Sequence, residues 1–155
     1  MASFAVTFQE EALSACLDDV LAHAKAHWEE TQREHDTMPL DLDLDAYAFL
    51  EGQGKLVLVT VRVDDVLVGY CTSFLHQHLK SRHVLCAVMD AYYLAPAYRG
   101  LGLATQLFAH VQHVLHGRGV QRLFGDTKAW HDLGAMFERH GWQYVGKQYT
   151  KWIGN

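Results

Sequence analysis

Three features of this sequence could do chemistry. The first is the run Tyr92-Tyr93-Leu94-Ala95-Pro96-Ala97-Tyr98-Arg99-Gly100-Leu101-Gly102-Leu103-Ala104-Thr105. It reads as a strand end, then a loop containing Pro and Gly, then a helix start. Glycines there let the backbone approach a ligand. The opening N–H groups of a helix have no internal partners, and the helix dipole is positive at that end. Together these make a site for phosphate. Arg99 adds a cation with fixed donor geometry. No Gly-Lys-Ser/Thr follows, and the three spaced glycines of a dinucleotide fingerprint are missing. A simple turn is the plainer reading of two glycines alone. The second feature is Asp90, the only acid between Asp65 and Asp126. It sits mid-strand among apolar neighbours, where a carboxylate is costly unless it is paired or functional. Strand alternation predicts that Asp90, Tyr92 and Leu94 share one face. The third feature is a set of 11 histidines. His76-x-His78 with His83 nearby has the look of a metal set, but no acid lies close to complete it. No cysteine spacing suggests zinc either, so no metal site is expected. His110, His113 and His116 fall at helical spacing and read as an exposed edge.

The elements that must position these residues can be read from periodicity. Phe4 to Phe8 alternates as a short strand. Leu13, Cys16, Leu17, Val20, Leu21, Ala24 and Trp28 form one apolar stripe on a helix of about residues 10–31. A loop with Pro39 leads to a second helix, Asp43 to Leu50, ended by Gly52-Gln53-Gly54. Lys55 to Val63 and Val66 to Leu75 read as a hairpin turned at Asp64-Asp65. His83 to Leu94 is a long strand, and Leu103 to His116 a helix stopped by Gly117-Arg118-Gly119. Val120 to Phe124 is a short strand, and Trp130 to His140 a helix. Gln143 to Val145 and Gln148 to Ile153 read as terminal strands. The predicted order is β-α-α-β-β-β-α-β-α-β-β: an α/β (α+β) chain with a mixed, mostly antiparallel central sheet flanked by helices.

With 155 residues, 50% hydrophobic and 20% charged, the chain fits a single domain covering residues 1–155. No repeat, linker or low-complexity segment interrupts it. No apolar run reaches the roughly 18 residues that a membrane span needs, and Met-Ala-Ser-Phe-Ala-Val has no leader character. Cys16, Cys71 and Cys86 form no close pair, which points to a reducing, cytoplasmic setting. Charge is uneven. Residues 1–50 hold 11 acids against Lys25 and Arg33, and residues 51–155 hold seven acids and 11 bases. One part should attract cations and the other anions. General nucleic-acid binding, which needs many phosphate contacts from Lys and Arg, is disfavoured. A solvated acidic surface on two helices is the alternative reading of the first part.

Arg99-Gly100-Leu101-Gly102-Leu103-Ala104 resembles the Arg/Gln-x-x-Gly-x-Gly/Ala signature of the GCN5-related N-acetyltransferase (GNAT) superfamily. Tyr93-Leu94-Ala95-Pro96 resembles its strand end and Pro-containing loop. Ala135-Met136-Phe137-Glu138-Arg139-His140-Gly141-Trp142 resembles its second motif, and the element order matches along nearly the whole chain. The resemblance implies acetyl-CoA as acyl donor. It implies that the backbone of Gly100, Leu101, Gly102, Leu103, Ala104 and Thr105, with the Arg99 side chain, holds the pyrophosphate. Two central strands, His83–Leu94 and Val120–Phe124, are then expected to splay around the pantetheine. A backbone N–H at Leu94, with Tyr93 as neighbour, is expected to polarise the thioester carbonyl, where an oxyanion develops. Asp90, on the strand that also carries Tyr92, is the expected general base or proton relay. A structural carboxylate bonded to a nearby Tyr or Arg is the competing reading.

The acceptor side, by the same resemblance, comes from the first two helices and their loop. Trp28, Glu29 and Glu30 there, with His76 after the second hairpin strand, are the expected acceptor contacts. Trp28 also completes an apolar stripe, and Glu29 and Glu30 also read as a solvated helix end. Two departures stand out. Phe137 occupies the position of the family's usual Tyr general acid, so Tyr98, Tyr144 and His131 are the substitutes in reach. Trp130 stands where an Asn is common. The leading reading is acetyl transfer from acetyl-CoA to a primary amine (small molecule, polyamine, peptide N-terminus or lysine) by direct attack in a ternary complex. Its alternative is a CoA-binding interaction or regulatory protein with the same fold and little or no catalysis. Transfer to oxygen or of a longer acyl group is a further alternative. Tyr149-Thr150-Lys151-Trp152-Ile153 is an aromatic edge on which two copies would pair as a homodimer, or which Lys147 and Lys151 guard against pairing.

Overall fold

The computed structural model describes residues 4–155, so the reading of the N-terminal run as lacking a leader falls partly outside the described residues. Residues fall into two compact units, 1–125 and 126–155.

The first unit is a five-stranded sheet in the order β1-β2-β3-β4-β5. The strands are β1 (Val6–Glu11), β2 (Leu56–Val63), β3 (Val66–Gln77), β4 (Leu85–Leu94) and β5 (Arg122–Phe124). Neighbours from β1 to β4 run antiparallel, while β4 and β5 run parallel. The β2–β3 hairpin turns on Asp64 and Asp65, both at positive φ (49° and 67°). Such a two-residue turn matches the twist of the flanking strands. Its Asp64 carboxylate also accepts a hydrogen bond from the Ala5 N–H at 2.9 Å.

Helices α1 (Leu13–Thr31), α2 (Leu44–Gly52) and α3 (Leu103–Gly117) complete the unit. Leu13, Cys16 and Val20 of α1 bury against Leu56, Leu58, Leu67, Tyr70 and Tyr93, with Tyr47 and Leu50 of α2 packed alongside. On the other helix face of the unit, α3 buries Leu103, Leu107, Phe108, Val111 and Leu115. Strand alternation sends Leu56 and Leu58 toward α1 and α2, and Val57, Val59 and Val61 to the opposite side. All five are almost wholly buried, which explains why β2 reads as an unbroken apolar run rather than an alternating one. Asp43 caps α2 by accepting from the Ala46 N–H at 2.9 Å. The Glu51 carboxylate of α2 in turn takes the Leu13 N–H at the start of α1.

The second unit contains α4 (Gly134–Arg139). Before it, the Thr127 hydroxyl accepts from the Leu133 N–H (2.7 Å) and donates to the His131 carbonyl (2.9 Å). Those bonds hold residues 127–133 as a loop, so the helix is shorter than the expected 130–140. Residues 143–155 form no strand, which corrects the two terminal strands expected there. Their polar–aromatic alternation is strand-like, but among the described residues no ladder partners them, and Tyr149 and Ile153 remain 85% and 88% exposed. An unpaired short strand does not hold in water.

Candidate active site

Strand β4 runs beyond its parallel neighbour. β5 pairs only with Cys86, Ala87 and Val88 and ends at Phe124, while β4 continues to Leu94. The backbone of that extension faces two ways. The Ala95 N–H donates to the Val68 carbonyl at 2.8 Å, across to β3. Antiparallel pairs alternate, so Leu94 and Tyr92 turn their N–H and C=O groups away from β3, on the edge of β4 beyond its last pair with β5 at Val88.

The end of β4 is seated by Gly69. A Cβ on Gly69 would lie 2.8 Å from Leu94 Cδ1 and 2.8 Å from the Tyr93 carbonyl oxygen. Only glycine lets β3 approach Leu94 this closely. After Leu94 the chain makes a 3₁₀ turn at Pro96–Tyr98 and enters α3 through Gly100 and Gly102, at φ +77° and +76°. Gly102 is the N-cap, no side chain caps the helix, and no acid lies in its first turn. The positive end of a 15-residue helix is thus presented at an open glycine turn. This arrangement suits a phosphate group beside the end of β4.

Arg99 is held differently from the sequence expectation. Its Nε donates to the Leu94 carbonyl at 2.7 Å, and its Nη2 pairs with the Glu30 carboxylate at 2.7 Å. The guanidinium carbon lies 5.6 Å from the Tyr93 ring centroid. The structure therefore brings together Tyr93, Leu94, Arg99 and Glu30, three expected cofactor residues and one expected acceptor residue. Beside them, His27 Nδ1 and the Tyr70 hydroxyl share a hydrogen bond of 2.8 Å. Burial, followed by the opposing pull of Glu30 and the push of Arg99, brings the His27 pKa down to about 4.

Asp90 also departs from expectation. Thr72 stands opposite Ala91 and Ser73 opposite Met89, which leaves Asp90 as the extra residue of a bulge in β4. Asp90 accepts a hydrogen bond from the Tyr47 hydroxyl of α2 at 3.2 Å. Tyr92 instead packs edge-on against Phe108 of α3, with ring centroids 5.3 Å apart. The expectation that Asp90 shares a face with Tyr92 and Leu94 is corrected: the bulge turns Asp90 toward α2 and leaves Tyr92 on the α3 side. Burial, then the charge and hydrogen bond of Asp90, push the Tyr47 phenol up to about 12.

Of the other expected acceptor residues, Trp28 is half-buried and its Nε1 is buried without a hydrogen-bond partner. Glu29 is exposed and lies 3.9 Å from Lys25 one turn earlier. His76 stands opposite Cys86, four residues along β4 from Asp90, roughly 13 Å at ordinary strand rise. His76 is exposed and is not gathered with the others. Among the described residues, no group of three or more His, Cys, Asp or Glu is placed to hold a metal. Tyr47, the one aromatic with a polar tip on α2, reaches Asp90 although nothing in the sequence pattern singled it out.

Residues 19–142 match the acetyltransferase (GNAT) family. The chain belongs to that family. It is a GNAT-type acetyltransferase on a mixed, mostly antiparallel sheet flanked by helices. Similar solved structures share the fold. A ribosomal-protein-alanine N-acetyltransferase from Brucella melitensis biovar Abortus 2308 is 18% identical, with 97% of this chain and 99% of that one covered and a TM-score of 0.76. An aminoglycoside N-acetyltransferase, AAC(6')-Iy, solved in complex with CoA, is 14% identical, covering 97% and 95%, with a TM-score of 0.74. An aminoglycoside acetyltransferase from an uncultured soil metagenomic sample is 12% identical, covering 97% and 95%, with a TM-score of 0.73. No curated protein sequence matches the chain.

Proposed function

We propose that this GNAT protein transfers an acetyl group from acetyl-CoA to a primary amine in a ternary complex. The observation that carries this reading is the backbone of Tyr92 and Leu94, turned away from β3 beyond the last β5 pair and leading directly to the Gly100–Gly102 turn and the start of α3. The Leu94 and Tyr92 amides would pair with pantetheine amides or polarise the thioester carbonyl, and the Gly100–Thr105 backbone would hold the pyrophosphate. The amine lone pair forms the C–N bond as the C–S bond breaks, and sulfur leaves with the bonding electrons as the CoA thiolate. Asp90 takes the proton that the nitrogen loses and passes it to solvent.

The acceptor classes that fit are a small amine, a polyamine, a peptide N-terminus or a lysine. The exposed acids Glu29, Glu34, Asp36, Asp41 and Asp45 on α1, α2 and their connection favour a cationic one. Three free, buried cysteines support a reducing, cytoplasmic setting. No described helix is long and apolar enough to cross a membrane. The exposed aromatic run Tyr149–Ile153 supports pairing of two copies.

A second reading, a CoA-binding interaction protein with little catalysis, is favoured by one observation. Phe137 has no proton to give a leaving thiolate, and it is buried against Trp142 at a ring distance of 4.9 Å. Release of CoA thiol from acetyl-CoA, measured with sisomicin and with a peptide bearing N-terminal alanine, separates the two. Thiol release dependent on either acceptor, and lost at least tenfold in Asp90→Asn, supports acetyl transfer. CoA binding without thiol release supports the second reading.

A further inference from the structure

We propose that Tyr47 is a positioning residue for Asp90, and that the Thr72 hydroxyl is a hydrogen-bonding contact of the acceptor amine, directly or through one water. This rests on the acetyl-transfer reading above and adds two residues to it.

The bulge is the starting point. Because Asp90 is the extra residue, its side chain leaves the ordinary alternation of β4 and reaches Tyr47 at 3.2 Å. A single bulged carboxylate has several rotamers open to it, and a fixed donor selects one. Tyr47 is itself fixed. Its ring packs on Phe74 of β3 with centroids 6.0 Å apart, its N–H bonds to the Asp43 carbonyl at 3.1 Å, and α2 is capped by the Asp43 side chain. The phenol therefore behaves as a built-in strut from α2 to the bulge.

Thr72 is the second, independent observation. It lies opposite Ala91, the residue after Asp90, and shares a β3 face with Tyr70 and Phe74. Those two rings belong to the core under α1 and α2, the side to which Asp90 turns. Thr72 is only 5% exposed, and its Oγ1 has no hydrogen-bond partner. Buried hydroxyls are ordinarily satisfied, and an orphan is unfavourable unless something else fills the role. A hydroxyl next to the carboxylate in the sheet register can accept a second N–H of the amine, or hold the water that carries its proton. An apolar residue of the same shape would remove that contact without opening a cavity.

The test uses steady-state acetyl transfer to sisomicin and to a peptide with N-terminal alanine, followed by CoA thiol release. Variants are Tyr47→Phe, Thr72→Val, Thr72→Ser, Asp90→Asn and Tyr47→Phe/Asp90→Asn, each checked by thermal unfolding. Tyr47→Phe is expected to lower kcat about tenfold with KM for acetyl-CoA within twofold. In the Asp90→Asn background the same change is expected to cost nothing further, because it acts through Asp90. Thr72→Val is expected to raise KM for the amine at least fivefold, and Thr72→Ser to restore it. A Tyr47→Phe kcat within twofold of wild type, or multiplying losses in the double variant, overturns the positioning role. An unchanged amine KM in Thr72→Val overturns the contact role, and does so even where Tyr47→Phe unfolds. Transfer by wild type to neither of these acceptors, nor to a polyamine or a peptide lysine, overturns the acetyl-transfer reading and this inference with it. That outcome is read in the wild-type arm alone and is distinct from the variant results.

Discussion

Arg99 Nη2 lies 2.7 Å from Glu30 Oε2, so residues 69 apart in sequence join the glycine loop to the C-terminal part of α1. Glu30 holds the guanidinium on the α1 side while Arg99 Nε occupies the Leu94 carbonyl. The pair is partly exposed and is worth on the order of 0.5 kcal/mol. If the guanidinium turns to the pyrophosphate when CoA binds, Glu30 competes with the ligand for it. Glu30→Gln should then tighten CoA binding two- to fourfold in an isothermal titration. Arg99→Ala, which loses both the cation and the bond to Leu94, should weaken binding about tenfold. Weaker binding in Glu30→Gln would instead make the ion pair a strut that the site needs.

Gly69 tests the placement of Leu94 from the opposite strand. Its φ is ordinary, so strain is not the argument; space is. An added Cβ meets the Tyr93 carbonyl oxygen and Leu94 Cδ1, both at 2.8 Å, and backbone cannot step aside as a side chain end can. Gly69→Ala should cost roughly 1–3 kcal/mol by overpacking. Because it pushes on Leu94, it should also lower CoA affinity. Denaturant unfolding and CoA titration check both; a stability loss with unchanged affinity would remove Leu94 from the cofactor site.

Much of the fold could be read from sequence because its signals are local. The helical stripe of Leu13, Cys16 and Val20, the Asp64-Asp65 turn and the stop after Gly117 each depend on neighbours in the chain. The misreadings have non-local causes. Unbroken alternation puts Asp90 on the face of Tyr92, but a bulge is defined only by the strand opposite, here at Thr72 and Ser73. The Arg99–Glu30 pair cannot be read from sequence, because its two residues come from different elements. The terminal strands were read from a pattern that needs a ladder partner to become a strand. Asp90 is exposed on β4, so the cost of a buried carboxylate does not single it out; its bond to Tyr47 is what the structure adds.

His27 gives the protein a pH dependence whose sign follows from its burial. Its folded pKa is about 4 against an unfolded value near 6.5, so the unfolded chain binds the extra proton between those values. The stability it contributes is complete above pH 6.5 and is lost as pH falls toward 4. The loss is at most about 3 kcal/mol. Glu30 opposes this by favouring the charged ring, and Arg99 reinforces it. His27→Gln should flatten the unfolding free energy between pH 7 and 4.5 relative to wild type. An equally steep fall in the variant would assign the dependence to other groups.

The motif resemblance puts Phe137 where a tyrosine acid is expected, and its burial decides what adding the hydroxyl would do. The side chain is 8% exposed and packs against Trp142 within its own unit. A phenol placed there must either find a partner or bury an unsatisfied hydroxyl, at a cost of about 1–3 kcal/mol. The CoA thiolate is a good leaving group and needs little help from an acid. Phe137→Tyr should therefore lower the midpoint of thermal unfolding by several degrees while leaving kcat for acetyl transfer within twofold. A kcat raised tenfold with no loss of stability would show that the phenol reaches the leaving sulfur, and that the wild-type chain works without an acid the fold can accommodate.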